Sequence, residues 1–140
     1  MSNPVPSGYE LVALNDVFMK SFGPVYLNRQ AEKIGFRVAA NHVNANGSCN
    51  GGAMATFADL QLLALAAIAA DPDWREGTTP TISLTVDYLA PAPIDGWVEA
   101  AVTLVKATRS LIFSQAIITV DGNPVARSNA IYKKNYRKSA

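Results

Sequence analysis

Apolar positions change their spacing near residue 80. Beyond it they recur every second residue: Ile82, Leu84, Val86 and Tyr88 alternate with Ser83, Thr85 and Asp87, as in a half-buried strand. The Pro- and Gly-bearing stretch 90–96 interrupts the pattern. Strands then follow over Trp97–Val105, Leu111–Val120 and Val125–Lys133, with a short turn at Lys106–Arg109. Asp121-Gly122 predicts a tight hairpin between the last two, because that pair accepts positive φ. Upstream, Ala53–Ala70 is apolar at almost every position, and only Thr56, Asp59 and Gln61 interrupt it. With Gly51-Gly52 before it and Asp71-Pro72 after it, this run predicts one buried helix of about five turns. Its eight alanines keep it thin, so other elements can close around it. Gly52, Thr56, Asp59 and Leu63 then share one stripe, which reads as the wall of a site.

The N-terminal part is less regular. Residues 1–8 read as a loose leader. Asn15 is placed to cap a short helix over Asp16–Phe22 that Gly23-Pro24 stops. Val25–Gln30 and Ile34–Ala40 read as strands, and residues 134–140 as a frayed tail. The order of elements predicts an α+β domain spanning residues 1–140, an antiparallel sheet wrapped around one long central helix, its last four strands in meander. Such a sheet leaves its edges uncovered. Pairing of two copies edge to edge is therefore expected, giving a homodimer, or a tetramer built from dimers.

Composition narrows the classes. Apolar residues make up 49% and charged residues 16% of 140, which argues against disorder. The net charge of +1 points to no nucleic-acid partner. Charge is nonetheless uneven: residues 1–100 hold five basic and ten acidic side chains, net −5, while 101–140 hold seven and one, net +6. A basic C-terminal third suits a phosphate-bearing partner, or simply a solvated strand face and tail. One Cys and one His leave no disulfide framework and no metal-ligand pattern. The run at 53–70 has the length of a membrane span, but its alanine-rich character and embedded Asp59 argue against insertion. The first residues lack a basic segment followed by an apolar one, so the cytoplasm is the expected compartment.

Several residues carry candidate chemistry. An ionised Asp59 on an apolar helix is expensive unless partnered or wet, and burial would raise its pKa towards that of a useful general base. A structural Asp bonded to a loop backbone is the other reading. Gly51 and Gly52 open the helix, where unpaired N–H groups and the positive dipole end can hold an oxyanion. A tight turn would also explain them. Asn44 reads as a turn former, and Thr56 as a packing residue or a bond to a carbonyl one turn back. His42 and Cys49 are close enough in sequence to consider a Cys–His nucleophile, against a loop anchor and a small buried thiol.

The stretch H-V-N-A-N-G-S-C-N-G-G-A-M-A-T-F-A-D at residues 42–59 resembles the hotdog-fold acyl-CoA thioesterases. It is most similar to the group containing the phenylacetate-pathway thioesterase, whose pattern runs approximately H-x-N-x-x-G-x-x-H-G-G-x-x-x-T-L-x-D. T-I-S-L-T-V-D-Y-L-A-P-A at residues 81–92 resembles a second signature of that group, and the strand order agrees over nearly the whole chain. One position departs: the group's His before Gly-Gly is Asn50 here, whose amide can donate but cannot carry a proton near neutral pH.

The resemblance implies a hotdog fold and hydrolysis of an acyl- or aryl-CoA thioester to a carboxylic acid and coenzyme A, with no metal or redox cofactor. It implies Asp59 as general base or nucleophile, and the Gly51 N–H as oxyanion donor. Asn44 and Asn50 of the partner subunit would complete the catalytic set. It places Gly52, Thr56 and Thr81 near the substrate, and Lys106 and Arg109 near the coenzyme A phosphates, although a solvated turn explains those two as well. The acyl pocket would draw on the Phe57–Leu65 region and Tyr88. A non-hydrolytic acyl-CoA-binding protein is the alternative. A hotdog dehydratase would need a His at the Gly-Gly junction, which this chain lacks.

Overall fold

The structure, a computed structural model, describes residues 4–75 and 78–135. Its elements in chain order are β1 (Glu10–Leu11), α1 (Val17–Phe22), β2 (Tyr26–Asn28), β3 (Lys33–Arg37), α2 (Gly51–Ala58), α3 (Ala66–Ala69), β4 (Thr81–Tyr88), β5 (Trp97–Ala107), β6 (Leu111–Val120) and β7 (Asn123–Lys133). Short 3-10 turns lie at Ala40–His42 and Gln61–Ala64. The strands of the described residues form one antiparallel sheet in the order β1-β2-β3-β5-β6-β7-β4. No helix among the described residues is long and apolar enough to cross a membrane.

Period-two alternation builds the long strands. Ile112, Ala116 and Ile118 of β6, and Ala126 and Ala130 of β7, turn inward and are buried. The small inward residues let α2 lie close to the sheet. Phe57 of α2 is fully buried against Phe36 of β3, with ring centroids 4.7 Å apart. Burial of such a ring contributes roughly 1.5–3 kcal/mol. Asp121 and Gly122 take φ of +50° and +80°, the hairpin their identities predict.

Three expectations need correction. First, the apolar run is not one helix of five turns. It starts at Gly51, ends its first segment at Ala58, and resumes as the 3-10 turn and the one-turn α3. The cause lies in the sheet. Tyr132 of β7 donates its hydroxyl to the Asp59 carbonyl at 2.9 Å, so the Leu63 N–H turns instead to Leu60 O at 3.1 Å. A side chain inserted into the helical ladder breaks its direction. Buried Gln61 reinforces the break, donating to Ser128 Oγ at 3.0 Å and accepting from Ser114 Oγ at 2.7 Å. Leu63 therefore lies beyond the segment that carries Gly52 and Thr56.

Second, the last four strands are not a simple meander. β5, β6 and β7 are, but β4 pairs with β7 at the far edge. Third, that edge position leaves Ile82 and Tyr88 more than half exposed, at 55% and 56%, while Leu84 and Val86 are half-buried.

Smaller shifts have local causes. Asp16, rather than Asn15, caps α1, accepting from the Met19 N–H at 3.2 Å. β5 runs on through Lys106 to Ala107, so only Arg109 of that pair lies in the turn. β1 is an additional short strand that pairs with β2. In the N-terminal segment, Arg37 donates to Pro4 O at 2.7 Å, and Tyr9 packs edge-on to Trp97 at 5.1 Å. In the C-terminal segment, Lys134 N donates to Ser110 O at 2.8 Å and Asn135 N to Thr78 O at 3.0 Å, and 136–140 lie outside the described residues.

Candidate active site

Helix α2 is tied to the edge strand β4 at both ends. Tyr88 donates its hydroxyl to Gly51 O at 2.6 Å, and Thr81 donates its hydroxyl to Asp59 Oδ1 at 2.7 Å. The two elements therefore run antiparallel, with a backbone-amide end and a carboxylate end.

Asp59 opens on a cleft of about 130 Å³ whose walls include Leu14, Leu60, Leu62, Leu63 and Trp74. Burial among these side chains pushes the carboxyl above the usual carboxylate range, and the Thr81 and Tyr132 hydroxyls pull it part of the way back. Burial, and then the Asp59 charge, hold the Tyr132 hydroxyl firmly protonated. The sequence signals Asp59 and Thr81. It does not signal Tyr132, Trp74 or Leu14, which reach the cleft from a strand and two connections distant in the chain.

At the other end Asn50 caps α2. Its Oδ1 accepts from the Gly52 N–H at 2.7 Å, and its own N–H donates to His42 O at 2.7 Å. The Asn50 oxygen is thereby occupied, and its NH₂ is the group left to face solvent or a ligand. Gly51, the first helical residue, has no acceptor for its N–H among the described residues. A side chain at Gly51 would stand 3.4 Å from the Tyr88 ring. Gly51, Asn44, Cys49 and Tyr88 border a second cleft of about 360 Å³. Gly52 and Thr56 border a third, of about 300 Å³, with exposed Phe18.

Within one chain, then, the candidates do not converge. Asp59 lies eight residue steps along the chain from Gly51, a helical rise of about 12 Å. Asn44 spends its Oδ1 on its own loop, accepting from the N–H groups of Asn46 at 2.9 Å and Ser48 at 3.3 Å. Thr56 donates to Gly52 O at 3.0 Å, as a helix-packing threonine does. Lys106 and Arg109 are exposed. They flank the end of the sheet where Ala107, Ile112, Tyr132 and Thr81 lie in register across four strands. Three strand spacings, about 14 Å, separate them from β4.

The Cys49–His42 pair does not form. His42 is buried between Phe22 and Phe36, with centroids at 4.6 and 5.1 Å. Its Nδ1 accepts from the Ala39 N–H at 2.9 Å, so Nε2 carries the proton it gives to Phe22 O at 2.6 Å. Both nitrogens are engaged in anchoring the loop. Burial pushes the Cys49 thiol up to about 11, away from thiolate chemistry.

A family model described as the thioesterase superfamily matches residues 46–126, which span the capped loop, α2, Asp59 and β4 to β6. The chain belongs to the thioesterase superfamily. A Pseudomonas aeruginosa protein, provisionally named as an esterase, is 22% identical over 131 residues, 91% of this chain and 96% of that one. Among solved structures, a hypothetical thioesterase of Streptococcus pneumoniae with coenzyme A aligns at a TM-score of 0.66 and 16% identity, covering 99% of this chain and 98% of its own. A mutant phenylacetic acid degradation protein of Thermus thermophilus aligns at 0.63 and 20%, covering 91% and 93%. At these identities the structures carry the fold: the sheet around α2 is the hotdog arrangement of thioesterase superfamily members.

Proposed function

We propose that this thioesterase superfamily member is an acyl-CoA thioesterase. The observation that carries the reading is a single carboxylate, Asp59, placed among leucines with its pKa raised and one hydroxyl donor to orient it. In the proposed step, Asp59 takes a proton from water as the water oxygen bonds to the thioester carbonyl carbon. The carbonyl oxygen becomes an oxyanion beside the Gly51 N–H of a second copy, with the Asn50 NH₂ as a further donor. The C–S bond then breaks, and Asp59 returns the proton to the leaving sulfur. The products are a carboxylic acid and coenzyme A. Asn44 shapes the loop that presents this amide end.

Distance supports the second copy, since a chain's own Gly51 lies a helix-length from its Asp59. The exposed edge of β4, with Ile82 and Tyr88, supports pairing of two subunits, and a tetramer would join two such dimers. Coenzyme A in a fold neighbour supports the nucleotide part of the substrate. Lys106 and Arg109, at the end of the sheet that carries the Thr81 rung, are the cations we assign to its phosphates. The group similar to the phenylacetate-pathway thioesterase remains the nearest proposal for an aryl or acyl substrate.

The test is release of free thiol from a panel of acyl-CoAs, followed with a thiol-trapping dye. Turnover of at least one thioester, abolished in Asp59→Ala that still melts cooperatively, is expected. Binding across the panel without thiol release would favour a non-hydrolytic acyl-CoA-binding protein. One observation favours that second reading: Asn50 cannot carry a proton. Asn50→His decides between them if it turns binding alone into hydrolysis.

A further inference from the structure

We infer that Leu63 and Trp74 set the size of the acyl group this chain accepts. The inference rests on Asp59 marking the reacting end of the substrate. Three clefts meet along Leu63. The one that holds Asp59 measures about 130 Å³. A second, of about 210 Å³, shares Leu63 and Trp74 with it and continues beneath β1 along Leu11, Val12 and Leu27. A third, of about 270 Å³, shares Leu27, Leu63 and Ala69 with the second and ends against Ala66 and Ala70. The side chains of Leu63 and Trp74 therefore stand between the carboxylate and a longer trough.

Size gives the partition its consequence. An aliphatic cavity of about 150 Å³ holds one benzene molecule. The Asp59 cleft alone thus fits an acyl group of roughly that bulk, about six carbons. A longer chain would have to pass Leu63 and Trp74. The trough beyond offers it apolar walls along Leu11, Val12 and Leu27, and the charged residues that also line it, Glu10 and Arg29, are paired with each other. Removing the Leu63 side chain joins cleft and trough.

The experiment compares butanoyl-, hexanoyl-, decanoyl- and dodecanoyl-CoA in the thiol-release assay, with calorimetric binding of the matching free carboxylic acids as a readout independent of turnover. The wild type is expected to favour hexanoyl or shorter groups. Leu63→Ala should raise the dodecanoyl-to-hexanoyl ratio of kcat/KM, and of affinity, by about tenfold or more. Adding Ala69→Phe, which narrows the trough, should reverse that gain. Leu63→Val provides the same direction of change should Leu63→Ala melt too early. A wild type that prefers dodecanoyl groups, or a ratio unmoved in folded Leu63 variants, overturns the inference. A size cut-off in acid binding without thiol release from any thioester would retain the partition and defeat the hydrolase reading. Turnover with no such cut-off would do the reverse.

Discussion

Thr81 donates its hydroxyl to Asp59 Oδ1 across 2.7 Å, joining the edge strand to the end of α2. This bond favours the charged carboxylate and opposes the burial that raises its pKa. Thr81→Val removes the donor and keeps the shape. The Asp59 pKa then rises further. A general base works only when ionised, so the acid limb of the kcat/KM profile should move to higher pH in Thr81→Val. A pH–rate series on both proteins checks the direction, and an unmoved limb would detach Thr81 from Asp59 ionisation.

Asp59→Asn separates function from stability. Loss of the general base should lower kcat by about 100-fold or more. The native pKa is raised, so the contribution of Asp59 to stability is full below its unfolded value, about 3.9, and is lost as pH rises through the native value. Asn escapes that loss. Its melting temperature should match or exceed that of the wild type at neutral pH, with the difference shrinking in acid. Thermal melts at two pH values measure this.

Asn50 is a helix cap by geometry. Asn50→Ala removes the acceptor for the Gly52 N–H and should cost about 1 kcal/mol. Asn50→Asp keeps the acceptor and should cost much less. Denaturant titrations of the two variants, with equal slopes, give the comparison directly.

Tyr132→Phe leaves the Asp59 carbonyl without its donor. The expected loss of stability is about 1–3 kcal/mol. Because the same hydroxyl sets where α2 ends, the carboxylate should lose its aim. A fall in kcat with little change in KM is expected, whereas a purely structural Tyr132 would leave kcat intact in the folded fraction.

Legibility followed the range of the interactions. Alternation along β6 and β7, and the Asp121-Gly122 hairpin, are local properties and were readable residue by residue. So was Asp59, a charge stranded in an apolar run. The break in the helix was not, because its cause, Tyr132, is 73 residues away in the chain. The place of β4 was hidden for a related reason. Period two tells which side chains share a face but not which strand lies alongside, so Ile82 and Tyr88 read as half-buried although they line an open edge. Asn50 looked like a substitute for a catalytic ring, while its oxygen is committed to the helix end. Trp74 and Leu14 gave no signal because they approach Asp59 from connections.

The most direct measurement is subunit complementation between Asp59→Ala and Gly51→Pro. Proline suits the first helical position, and Asn50 already has φ and ψ of −59° and 139°, which accept a following proline, so the helix start is kept while the Gly51 N–H is removed. Each variant alone should be nearly inactive. Mixed after subunit exchange, random dimers should regain about a quarter of wild-type turnover, from one intact site in each heterodimer. Exchange confirmed by native mass spectrometry with no recovered turnover would contradict a site shared between the carboxylate of one copy and the amide end of the other.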